Sequence, residues 1–143
     1  MNIQPWNFYV ITGEPLDRIR AGNTERMVAG IPRSREFRMG QAFSGRHRDR
    51  QVAVAKQLFS AMGIQRDDKD RRQHWVLRGF RRFDASVRVI VTYDRVLDGG
   101  DDTPFDCGAV TTALVNAAWS RGLGAVTNSQ GIINRRWCAS TPG

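Results

Sequence analysis

The stretch FDCGAVTTALVNAAWSR at residues 105–121 constrains the fold more than any other part of the chain. Its spacing predicts the strongest helix, with Val110, Leu114, Ala117 and Ala118 set among small residues. Small side chains let a neighbouring helix come close, so this helix belongs at the centre of a domain or at a subunit interface. Gly122-Leu123-Gly124 ends it, and Ala125-Val126-Thr127 reads as a short strand.

The rest of the chain supplies elements to pack around it. Residues 87–93, VRVIVTY, form the clearest strand, ended by a turn at 97–102. Phe8-Tyr9-Val10-Ile11 reads as a short buried strand closed by Thr12-Gly13. Glu14-Pro15 then opens a helix with Leu16, Ile19, Met27 and Val28 on one face, ended by Gly30-Ile31-Pro32. Residues 33–47 are polar and without period, a loop or lid. A helix is expected from about 48 to 62, carrying Val52, Ala55, Leu58, Phe59 and Met62 and stopped by Gly63. Asp67-Asp68 begin another, whose Trp75, Leu77, Phe80 and Phe83 are read as core packing. The order strand, helices, strand, helix, strand gives one layered α/β or α+β domain.

Composition narrows the function classes. A chain of 143 residues with 41% hydrophobic and 25% charged residues has globular values and room for one ordinary domain. No apolar run approaches the roughly 20 residues that span a bilayer. Gln4-Pro5-Trp6-Asn7 breaks the pattern of a signal peptide, so a cytoplasmic location is expected. The net charge of +8 is almost wholly arginine, Lys56 and Lys69 being the only lysines. The arginines are scattered and lack interleaved aromatics, which favours attraction of anionic cofactors and substrates over nucleic-acid binding. Cys107 and Cys138 have no CxxC spacing and do not cluster with His47 or His74, so no metal site is expected. Cys107 reads as a small buried hydrophobe. Asp98, Asp101 and Asp102 lack calcium-loop spacing and read as a solvated turn. Hydrolytic motifs, a Walker loop and a GxGxxG fingerprint are absent.

Two stretches carry chemistry. In Asn2-Ile3-Gln4-Pro5-Trp6, Pro5 fixes the backbone and Trp6 supplies a rigid plate beside two amides. Amides donate and accept, which suits a ring edge offering both kinds of group. In the run from Gly122 to Gly131, a helix ends, the chain extends, and a polar segment finishes in glycine, where backbone N–H groups can approach a ligand. Taken alone, each stretch reads first as a capping turn and only second as a ligand contact.

Together, and in this order, they resemble the flavin-dependent nitroreductase family, including a branch similar to 4-nitrobenzoate reductases. The family pattern Pro-Ser-x-x-Asn-x-Gln-Pro-Trp before a strand is matched in its second half by Asn2 to Trp6. A Phe-x-Ala-Pro-like step reads here Phe83-Asp84-Ala85-Ser86, and Asp106-x-Gly108 opens the central helix. The resemblance implies an α+β, three-layer α-β-α sandwich with a mixed sheet, incomplete at both ends, normally a homodimer with FMN at the interface. Asn2 and Gln4 would contact FMN, with Ser129, Gln130 and Gly131 at the flavin's N5 and carbonyl edge. Where the family often has a polar residue this chain has Gly79, flanked by Arg78 and Arg81, either of which could reach the pyrimidine edge. NAD(P)H would be the electron donor, and a nitroaromatic, quinone or enone the acceptor in a ping-pong cycle. No acid–base pair is nominated, because the chemistry belongs mainly to the cofactor.

The family's leading arginine-rich helix, and the helix, strand and basic residues after its flavin loop, have no counterpart here. Residues 1–143 are therefore expected to be a partial domain that binds FMN weakly or not at all. Residues 132–143 are expected to be a frame-shifted, non-native tail: GC-rich codons for it, read in a shifted frame, encode Gln-Pro-Ala-Val-Val-Arg-Glu-His-Ala-Gly, similar to the family's next helix. A non-catalytic fragment and a basic nucleic-acid-binding module are the alternatives.

Overall fold

The computed structural model describes residues 3–32, 34 and 42–130. Asn2, Gly131 and residues 132–143, with Cys138, lie outside the described residues. The elements are β1 (Trp6–Thr12), α1 (Gly13–Val28), α2 (Gly45–Ala61), α3 (Lys69–Phe80), β2 (Val87–Tyr93) and α4 (Asp102–Trp119). Short 3-10 turns lie at Arg82–Asp84 and Arg95–Leu97. This is the α+β class expected, rich in helix with a small sheet. Of that sheet, the described residues contribute one antiparallel pair, β1 with β2, in a register running from Trp6 opposite Tyr93 to Thr12 opposite Val87. Phe8 faces Val91 and Val10 faces Val89, the aromatic and β-branched cross-strand pairs that stabilise a ladder.

Local chemistry explains the helix boundaries. Asp68 caps α3, its carboxylate accepting from the Arg71 backbone N–H at 3.0 Å. Gly63, with φ +61, ends the turn after α2 in the left-handed conformation a glycine takes without steric cost. The Arg71 guanidinium donates to the Gly63 and Met62 carbonyls at 2.8 and 3.2 Å, placing a cation where the α2 dipole is negative. The Arg72 guanidinium lies 4.3 Å from the centre of the Phe59 ring. These contacts couple α2 to α3 by polar and cation–π links.

Three expectations change. The short strand at 125–127 does not form: those residues are exposed, irregular chain, because no strand among the described residues pairs with them. Strand β1 is longer than expected and not buried; Phe8, Tyr9 and Val10 are exposed, since among the described residues β1 pairs with one strand, and α1 and α4 pack against the pair. Val28 is also exposed, while Leu16 and Ile19 of the same face are buried.

The tightest packing lies where α1 meets the end of α3. Leu16, Ile19 and Phe80 are buried there. Asn23, with no exposed surface, donates from Nδ2 to the Phe80 carbonyl at 2.9 Å. A helix leaves its last carbonyls without intrahelical donors, and this side chain satisfies one of them. Asn23→Ala removes that donor in a buried setting. A loss of about 1–3 kcal/mol is expected, read as a lower urea midpoint; an unchanged midpoint would show that the contact contributes nothing.

Candidate functional site

The polar residues singled out in the sequence fall in two settings. The first is an open groove of about 640 Å3 between the start of β1 and α4, lined by Ile3, Gln4, Trp6, Asp106, Ala109, Val110 and Ala113. Gln4 has φ +44, a left-handed backbone that costs a residue with a Cβ about 1–2 kcal/mol. The buried Pro5 follows it. Small residues of α4 form the opposite wall, so the feature that predicted close helix approach also opens this groove.

The second setting is the end of α3. Asn128 Nδ2 donates to the Gly79 carbonyl at 2.9 Å, tying the segment after α4 to α3. The Gln130 carboxamide sits where a Cβ of residue 79 would stand, and any such atom would collide with it. Gly79 itself is buried, Gln130 half-buried and Ser129 exposed. Gln130 is thus seated on bare backbone, and Asn128, not nominated from the sequence, anchors the approach. The available signal was Gly79: an isolated glycine within a helical pattern marks close packing of another group.

Arg78 and Arg81 turn toward Asp84. Arg81 Nε donates to Asp84 Oδ1 at 3.0 Å, and Arg78 Nε lies 3.6 Å from Oδ2. Arg78 also lies 5.6 Å from the centre of the Trp75 ring, which meets Phe83 at 5.4 Å between ring centres. The segment they hold has an unusual backbone. Arg82, Phe83 and Asp84 have φ of +62, +53 and +58, three successive left-handed residues without a glycine. The Arg20 guanidinium donates to the Ala85 carbonyl just beyond. The Phe83-Asp84-Ala85-Ser86 step is therefore a reversed turn fixed by ion pairs and ring packing. Nothing in its residue types announces φ above zero three times running.

Electrostatics follow the geometry. The hydrogen bond from Arg81 is the main cause holding the Asp84 carboxyl below its ordinary 3.8; desolvation opposes it, and the charges of Arg81, Arg78 and Arg20 reinforce it. Burial first, then the charge of Asp106, pushes the Cys107 thiol up. The half-buried Cys107 consequently stays protonated at neutral pH and is a poor nucleophile. Among the described residues, no group of three His, Cys, Asp or Glu could hold a metal ion, and no helix is long and apolar enough to cross a membrane.

The sequence model described as "Nitroreductase family" matches residues 1–139. This chain belongs to the nitroreductase family. Within the family it is 37% identical over 129 residues to nitrobenzene nitroreductase of Ectopseudomonas oleovorans, covering 88% of this chain and 56% of that one. It is 31% identical over 127 residues to 4-nitrobenzoate reductase of Nocardioides sp. (strain LMS-CY), covering 85% and 50%. The chain spans about half the length of these curated relatives. Its fold matches the crystal structure of the FMN and NADPH-dependent nitroreductase NfnB from Sphigopyxis sp. strain HMH, with TM-score 0.86 and 23% identity over 96% of this chain and 64% of that one. The NfnB structure from Mycobacterium smegmatis in complex with NADPH matches with TM-score 0.75 and 22% identity, over 85% and 54%.

The Asp84 shift gives a signed prediction. A carboxyl with a depressed folded pKa contributes stability that is complete above its unfolded pKa and lost as pH falls through the folded one. The urea midpoint is expected to drop on acidification below about pH 4. Asp84→Asn should lower the midpoint at neutral pH and narrow the gap between neutral and acid midpoints. The same gap in the variant and the native chain would remove Asp84 as its source.

Proposed function

We propose that this protein is an FMN-dependent oxidoreductase that uses NAD(P)H to reduce nitroaromatics, quinones or similar flat acceptors. The match to the family over residues 1–139 carries this reading, and the names of its relatives, which act on nitrobenzene and 4-nitrobenzoate, supply the acceptor class.

The residues present fit the ring of such a cofactor. A pyrimidine edge alternates N–H and C=O groups, and carboxamides both donate and accept. Gln4 in the groove and Gln130 on Gly79 supply two of them, with the exposed Ser129 next to Gln130 in sequence. Asn2 and Gly131 are proposed to complete these two groups. When bound, FMN supplies the hydride chemistry, donor and acceptor using one slot in turn, the ping-pong order. The chain's own residues bind, orient and exclude water. Trp6 and the small residues of α4 give the groove a flat apolar wall. Arg78 and Arg81, two cations against the single Asp84 carboxylate, leave positive charge at the end of α3 that favours an electron-rich ring nearby.

The working unit is proposed to be a cytoplasmic homodimer. Along and just beyond α4, Phe105, Trp119 and Leu123 are 75%, 78% and 60% exposed. Apolar exposure on this scale along one helix favours a protein partner, and a second copy of the chain is the simplest one.

This chain is proposed to be an impaired fragment of such an enzyme: titrating it into FMN is expected to quench flavin fluorescence only weakly, with slow NADPH-dependent loss of nitrobenzene in the same sample. Gln4→Ala and Gln130→Ala should each weaken binding about fivefold, one hydrogen bond of about 1 kcal/mol. A folded chain that leaves FMN fluorescence unchanged at every concentration would replace this reading with that of a non-catalytic fragment. Oligonucleotide binding that falls steeply with salt in such a chain would replace it with the nucleic-acid alternative.

A further inference from the structure

We infer that Gly79 is a positioning residue: by having no side chain, it sets where the Gln130 carboxamide sits and hence which edge of a bound ring that group can meet. The ligand in this statement rests on the flavin reading above; the contact does not.

Three observations converge on one peptide. Gly79 is buried in the last turn of α3, where any Cβ would overlap the Gln130 carboxamide. Of its own φ nothing demands glycine, because Gly79 is absent from the positive-φ residues, so the requirement is for space. Asn128, two residues before Gln130, donates to the Gly79 carbonyl at 2.9 Å. The segment is therefore pinned by Asn128, and the Gln130 carboxamide fills the space beside residue 79. The carboxamide is the far end of a flexible side chain, so a methyl at 79 would displace it and leave the backbone in place. Where the carboxamide sits is therefore set by the absence of a side chain at 79.

The contrast with an ordinary packing glycine lies in what a substitution disturbs. A methyl at 79 would not strain the helix backbone; it would push Gln130 away. Its effect should therefore vanish once Gln130 is shortened. The test is a cycle of four chains: native, Gly79→Ala, Gln130→Gly and the double variant. Each is measured for FMN affinity by fluorescence quenching, for the visible spectrum of bound flavin, and for thermal midpoint without ligand.

Gly79→Ala is expected to weaken FMN binding by about fivefold in the native background, the loss of the same single hydrogen bond, and to alter the flavin spectrum. In the Gln130→Gly background it should change neither affinity nor spectrum. Equal penalties in both backgrounds would overturn the inference and leave Gly79 as a packing residue. Should Gly79→Ala alone fail to fold, recovery of soluble protein by adding Gln130→Gly supports the contact, and no recovery overturns it. Absence of FMN binding by the native chain would overturn the flavin reading separately. The ligand-free thermal midpoints would then decide the positioning role: a Gly79→Ala loss confined to the native background supports it, and an equal loss in both sinks it.

Discussion

The structure depends on what happens to the last carbonyls of α3. A helix end presents acceptors that no residue of the helix can satisfy; in this chain one remote asparagine takes the Phe80 carbonyl, and a second adds to the backbone N–H that the Gly79 carbonyl already accepts. Asn23 of α1, 57 positions away, bonds the Phe80 carbonyl. Asn128, 49 positions away in the other direction, bonds the Gly79 carbonyl. Two adjacent peptide groups thereby join α1, α3 and the segment after α4. Because a buried polar group without a partner costs more than a formed bond contributes, the fully buried Asn23 is effectively tied to the Phe80 carbonyl.

The turn that follows α3 is built beside that junction. The chain leaves α3 through three left-handed residues, a conformation costing side-chain-bearing residues about 1–2 kcal/mol each, and returns as β2. Arg81 and Arg78 on Asp84, Arg20 on the Ala85 carbonyl and Phe83 on Trp75 hold this turn. The two arginines nominated for direct ring contact thus have a structural task at the turn, and their positive charge remains beside the Gln130 seat. Backbone strain of this kind tends to collect at functional sites, and here it lies one turn from Gly79. Gln4, the other left-handed residue with a side chain among the described residues, lies in the groove against α4.

Much of the fold was legible along the chain. Strand β2 has the limits read from VRVIVTY, and α1, α2, α3 and α4 begin and end within about three residues of expectation, because caps and glycine stops are local chemistry. The strand expected at 125–127 failed for the opposite reason: a strand is made by its neighbour, and Val126 has no pairing partner among the described residues. The exposure of Phe8, Tyr9 and Val10 belongs with it, since apolar character states what a residue favours and only packing states what covers it. Within the site, Gln4 and Gln130 could be singled out by residue type and neighbouring Pro5, Trp6 and glycines. Asn128 could not, because its role is a bond to a carbonyl far away in sequence.

By itself the sequence determined the elements, the apolar character of the central helix, the amide chemistry at both ends of the described chain and the resemblance that the family match confirms. These are properties of short windows, fixed by residue volume, backbone preference and hydrogen-bonding type. Tertiary structure alone decided that Gly79 is the seat of Gln130, that Arg78 and Arg81 face Asp84, and that residues 82–84 turn left-handed. Each of these arises where two segments compete for one small volume or one orphan carbonyl, and no window of sequence contains both competitors.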